Sequence, residues 1–166
     1  MEQNCIKIDK YIIQANPFET GAYGKVHMCI DDKGTIYVAQ IIEMSTYNDC
    51  KQIIFNELKA YHKLNNEHII KLHSVKRSER FLYLILEYCD GKNLQQIHQY
   101  CSDTFDRCLP LDVIQFIANG IKEGMIYMCI HNYAHRDLKL ENIMLQKIPQ
   151  LNKDKKNNLD NIVEQY

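Results

Sequence analysis

No stretch of this chain approaches the roughly 18 consecutive apolar residues that a membrane span needs, so no span is expected. Excess charge is missing too. Twenty basic residues against twenty-one acidic ones leave a formal charge of -1, and no overall field draws the chain to nucleic acid or to an acidic membrane surface. Among the seven cysteines there is no C-x-x-C pair and no Cys/His cluster at zinc-ligand spacing. They read as reduced thiols in the core or on the surface. The first residues, "MEQNCIKIDK", lack a basic stretch followed by an apolar run. Neither a myristoylation start nor a prenylation ending is present, and the cytoplasm is the expected compartment. No internal repeat is visible.

What is present suits one or two small globular units: 166 residues, 46% hydrophobic and 25% charged. Residues 1–10 read as an N-terminal extension. From Tyr11 to Tyr88 the chain reads as five strands with one helix between them. "YIIQA", "KVHMCID" and "TIYVAQII" are short runs rich in β-branched and aromatic residues, and "DDKG" supplies a hairpin turn between the last two. "CKQIIFNELKAYHKL" (Cys50 to Leu64) places Ile53, Ile54, Leu58, Tyr61 and Leu64 at helical spacing. "LHSVKR" and "FLYLILEY" complete the sheet, the latter continuous enough for burial on both faces.

Beyond "CDGKN" the pattern turns helical over residues 89–145. "NLQQIHQYC" is a short helix. The long one, Leu111 to Ile130, has Ile114, Ile117, Ile121, Met125 and Met128 as its expected apolar stripe, with Gly120 and Gly124 each costing about 1 kcal/mol relative to alanine. A loop and a short strand, "NIML", follow. Residues 146–166, rich in Lys and Asn, read as an exposed insertion or frayed terminus.

The chemistry concentrates in "HRDLKLEN", His135 to Asn142. It offers a carboxylate (Asp137), an ammonium two residues on (Lys139) and an amide five residues on (Asn142). These groups can accept a hydroxyl proton, neutralise a transferring phosphate and help to hold a cation. Taken alone, the same segment also reads as a polar turn whose Asp caps backbone amides.

The fixed positions H-R-D-L-K-x-x-N resemble the catalytic loop of the eukaryotic protein kinases, of the serine/threonine type by Lys139. The resemblance implies an α+β, protein-kinase-like fold: a five-stranded antiparallel N-lobe with one regulatory helix, then an incomplete, mainly helical C-lobe. It implies ATP and Mg²⁺ as ligands and a protein as substrate or docking partner. Asp137 becomes the catalytic base, Lys139 a γ-phosphate contact and Asn142 a metal ligand. "PFETGAYGKV" is similar to the end of the Gly-rich loop, which places Phe18, Gly21, Gly24 and Val26 at the nucleotide. "LEYCDGKNL" is similar to the hinge between kinase lobes, with Leu86 as gatekeeper and the backbones of Glu87 and Cys89 facing adenine.

Glu57 lies inside the apolar stripe of its helix, where an unpaired charge costs several kcal/mol, on the order of 3–5, and therefore needs a partner. In kinases that partner is a lysine on the third strand. Here "YVAQIIEM" puts Gln40 at that position, or Ile41 if the match slides by one, and neither is a cation. Lys25 is expected to point away, because its neighbour Val26 faces the nucleotide and successive strand residues alternate. Glu19 replaces the first loop glycine. No glycine follows Gly124, so no D-x-G segment follows Asn142, and Asp154 and Asp160 read as solvated. Three readings stay open: a serine/threonine kinase domain fragment that is inactive as an isolated chain, a pseudokinase-like docking module, and a relic gene copy. The long helical stripe, if unpartnered, predicts self-association.

Overall fold

The computed structural model describes residues 5–21, 23–105 and 109–146. Asp154, Asp160 and nearly all of the Lys/Asn-rich tail lie outside the described residues. The chain divides into two compact units, Met1–Tyr88 and Cys89–Tyr166.

The first unit is an antiparallel sheet of seven strands, β1 (Cys5–Ile8), β2 (Tyr11–Gln14), β3 (Glu19–Thr20), β4 (Lys25–Ile30), β5 (Ile36–Glu43), β6 (Leu72–Arg77) and β7 (Phe81–Glu87). The order is β1-β2-β4-β5-β7-β6, with β3 paired to β4. The β4–β5 hairpin closes where the sequence predicts. Asp31 accepts from the amides of Lys33 (3.0 Å) and Thr35 (2.9 Å), and Gly34 supplies the left-handed residue at φ 79°. That turn fixes the register, which sets Val26 opposite Gln40 and Lys25 opposite Ile41.

Alternation then sorts the two faces. Ala39 and Ile41 join Tyr11, Ile13, Cys29, Tyr83 and Ile85 in one core. Ile42, Leu82, Leu84 and Leu86 form the other, closed by Ile54, Leu58 and Tyr61 of α2 (Lys51–Lys63). Strand β7 is buried on both faces, as its unbroken apolar run requires.

Five expected strands become seven. Cys5–Ile8, expected within an extension, pairs with β2 across a tight turn at Asp9 (φ 53°), and Asp9 is tied to Lys76 of β6 at 2.6 Å. The other addition, β3, has two residues, too few for any periodicity to register. A helix also precedes α2: α1 (Met44–Asp49) buries no residue, so it has no apolar stripe to announce it.

The second unit contains α3 (Leu94–Phe105) and α4 (Leu111–Ile130). Asn93 and Gln96 start α3 with a reciprocal cap. The Gln96 amide donates to Asn93 Oδ1 at 2.9 Å, and the Asn93 amide donates to Gln96 Oε1 at 3.2 Å. The strand expected at "NIML" is not formed. Leu140–Asn142 is one turn of 3₁₀ helix, and only a single bridge, Asn93 to Met144, follows. The segment is held by the hinge-side loop instead: Gly91 N donates to Leu145 O (3.0 Å) and Leu94 N to Ile143 O (2.9 Å). A Cβ on Gly91 would sit 2.4 Å from the Leu145 carbonyl oxygen, so glycine is required for that approach.

On α4 the buried line is Val113, Ile117 and Gly124, with Ile121 and Met128 half-buried. The expected stripe is therefore misplaced at Ile114 and Met125, which are exposed, as are Phe116, Ile126 and Ile130. Apolar residues occupy several faces of this helix, so spacing alone leaves its rotation undetermined.

Candidate functional site

Two turn residues in left-handed conformation, Asn132 (φ 63°) and Arg136 (φ 65°), shape the loop that leaves α4. The loop presents Asp137 to solvent, and two side chains then converge on one carboxylate oxygen. Asn142 Nδ2 donates to Asp137 Oδ2 at 2.9 Å and to the Asp137 main-chain oxygen at 2.8 Å. Lys139 Nζ lies 3.2 Å from the same Oδ2. The Asp137 amide donates to His135 Nδ1 at 3.3 Å. The carboxylate is thus engaged by side chains across the turn. The turn at Leu140–Asn142 shortens the path enough for Asn142 to reach back five residues.

The hydrogen bond from Lys139, then that from Asn142, hold the Asp137 carboxyl below the usual carboxylate range. A carboxylate lowered on folding contributes stability above its ordinary pKa, and that contribution is lost as pH falls through the lowered folded value. Following the Asp137 carboxyl carbon by NMR should show a midpoint below the ordinary one, and Lys139→Met should move it back up. A midpoint unmoved by Lys139→Met would contradict the ion pair.

In the first unit, Val26 and Gln40 form a cross-strand pair on the sheet face that α2 covers, and Leu84 sits opposite Gln40 on the next strand. Lys25 pairs with Ile41 on the other face. Glu19 lies opposite Val26 at the surface, and the Phe18 amide donates to the Val26 carbonyl at 3.0 Å while its ring is exposed. Gly21 N donates to Gly24 O at 2.8 Å, closing the tip of the loop. A Cβ on Gly24 would lie 2.3 Å from the Ile41 carbonyl oxygen. The glycine there is demanded by β5. Leu86 is buried, and Glu87 is fixed from both ends: its amide donates to Lys71 O (2.9 Å), and its Oε2 accepts from the Lys71 amide (3.1 Å). Cys89 opens the second unit.

Glu57 is half-buried, and burial pushes its carboxyl up; the opposing influence is a hydrogen bond from the Tyr61 phenol one turn later. Sequence reasoning asked for a partner and looked to the sheet. The signal it passed over is the i,i+4 spacing of Glu57 and Tyr61, which puts them side by side on the helix.

Residues 18–154 match the protein kinase domain. The chain belongs to the protein kinase family. Asp137, Lys139, Asn142, Gln40 and Glu57 all fall inside the matched stretch of the kinase domain. The kinase chain is 34% identical over 137 residues to the 3-phosphoinositide-dependent protein kinase B of Dictyostelium discoideum, an alignment covering 76% of this chain and 14% of that protein. It is 30% identical over 139 residues to the serine/threonine-protein kinase chk1 of Schizosaccharomyces pombe, covering 76% of this chain and 26% of that one. It therefore spans a minor part of the length of the curated relatives it matches. The kinase fold accounts for the α+β order, a sheet first and helices after it. Among the described residues no helix is long and apolar enough to cross a membrane.

Proposed function

We propose that this chain serves a protein serine/threonine kinase, binding ATP and directing its γ-phosphate to a protein hydroxyl, and that the 166 residues alone transfer phosphate at no useful rate. The observation that carries the reading is the convergence of Lys139 and Asn142 on Asp137. In the transfer, the acceptor oxygen bonds to the γ-phosphorus, the bond to the β–γ bridging oxygen breaks, and the hydroxyl proton passes to the Asp137 carboxylate. A lowered pKa keeps Asp137 ionised and ready to accept. Lys139 places a positive charge beside the same oxygen, where the γ-phosphate would approach. Phe18, Gly21, Gly24, Val26, Gln40, Leu86, Glu87 and Cys89 are the proposed nucleotide contacts, with Glu57 behind them.

Mg²⁺ fits these residues only in part. Asn142 keeps an amide oxygen for a cation while its nitrogen is spent on Asp137. Magnesium asks for about six oxygens in octahedral array. Among the described residues no group of three His, Cys, Asp or Glu gathers to supply them. No D-x-G segment follows Asn142 in these 166 residues to add a carboxylate.

A second reading, a pseudokinase-like docking module, is favoured by one observation: the strand residue facing Val26 is the neutral Gln40, with Lys25 on the opposite face. In either reading a cytoplasmic setting and a protein partner are proposed. The exposed apolar residues of α4 favour self-association, which sedimentation at rising concentration measures. Purified chain given labelled ATP, Mg²⁺ and a generic acceptor should incorporate no label above a blank. Turnover that Asp137→Asn abolishes would overturn the proposed inactivity.

A further inference from the structure

Gln40 leaves Glu57 without the cation that its place in a kinase domain asks for, and α2 contains the answer within one turn. Glu57 and Tyr61 stand four residues apart, both half-buried, with Tyr61 packed into the core formed by Ile42, Ile54, Leu82, Leu84 and Leu86. Around them the sheet contributes Val38, Leu72 and the Gln40 amide. The titratable groups of that core besides Tyr61 are Tyr47 and Cys50, and it contains no Lys, Arg or His. A half-buried carboxylate in such surroundings is held by whatever donor is nearest.

We propose that Tyr61 is the positioning residue for Glu57, its phenol donating to the carboxylate and holding it along its own helix in place of a cation from the sheet. The inference rests on reading Glu57 as the regulatory-helix glutamate of the kinase. Its consequence is that α2 keeps Glu57 satisfied by itself, so that the carboxylate's position does not depend on Gln40. A cation introduced on β5 would have to compete with Tyr61 for it. Burial raises both groups, and the Glu57 charge raises the Tyr61 phenol further, as a donor bonded to a carboxylate requires.

The test is a pH titration of the whole chain by ¹³C NMR, reading the Glu57 carboxyl and Tyr61 phenol carbons. Tyr61→Phe should move the Glu57 midpoint up, because the donor that favours the charged form is gone. Glu57→Gln should move the Tyr61 midpoint down. Gln40→Lys should move the Glu57 midpoint down. A Glu57 midpoint unmoved by Tyr61→Phe overturns the proposal. If the phenylalanine variant does not fold, a Tyr61 midpoint unmoved by Glu57→Gln overturns it equally. If Tyr61→Phe acts as expected and Gln40→Lys does nothing, Tyr61 retains its role and the placing of Gln40 opposite Glu57 is what fails.

Discussion

Gln40→Lys is expected to tighten ATP binding by about tenfold. A neutral amide facing a triphosphate gives an ordinary hydrogen bond, worth about 1 kcal/mol, whereas hydrogen bonds to charged groups contribute about 1.5–3 kcal/mol. A difference of about 1.4 kcal/mol is a factor of ten in affinity. The surroundings accept the ammonium, since Gln40 lies on the face under α2 where Glu57 is half-buried and lacks a cation. Calorimetric titration of both proteins with ATP and Mg²⁺ measures the change. Equal affinities would show that the side chain at this strand position does not meet the phosphates.

Ile54→Ala should be the most damaging single change to the first unit, lowering the unfolding free energy by about 2–5 kcal/mol. Ile54 is wholly buried, pressed by α2 against Ile42, Leu82 and Leu84. Its neighbour Ile53 is 52% exposed, and Ile53→Ala should fall within about 0.5 kcal/mol of wild type. Urea unfolding of the two variants compares them directly. Similar losses at both positions would mean that α2 is rotated from the orientation described.

That pair also shows what the sequence makes legible. Spacing identifies the helix but places Ile53 and Ile54 on one stripe, because each sits at three or four residues from some other apolar side chain. Only the sheet beneath decides between them. The same ambiguity misplaces Ile114 and Met125 on α4. By contrast, the "DDKG" hairpin and the "HRDLKLEN" loop are read correctly as local structure, since their hydrogen bonds close within about five residues and depend on residue type more than on distant packing. The resemblance of the loop leads to the family before any coordinates are consulted.

What escapes the sequence is short or non-local. Strand β1 has four residues and is specified by its pairing to β2 and by the contact of Asp9 with Lys76, residues far apart in the chain. The "NIML" segment has a strand-like composition, yet Gly91 and Leu94 take up its backbone and leave a single bridge. Glu57 is recognised as needing a partner, while the identity of that partner is concealed by an expectation of charge. A phenol four residues away meets the physical need without one.

The central claim is that a kinase nucleotide site is built on β4, β5 and the hinge of this chain with a neutral residue where the phosphates ask for a cation. Titrating ATP and Mg²⁺ into ¹⁵N-labelled protein and following the backbone amides tests it most directly. The account expects the shifts to concentrate at Gly21, Gly24, Val26, Gln40, Glu87 and Cys89. An absence of shifts at millimolar nucleotide, or shifts confined to residues away from these strands and the hinge, would contradict it.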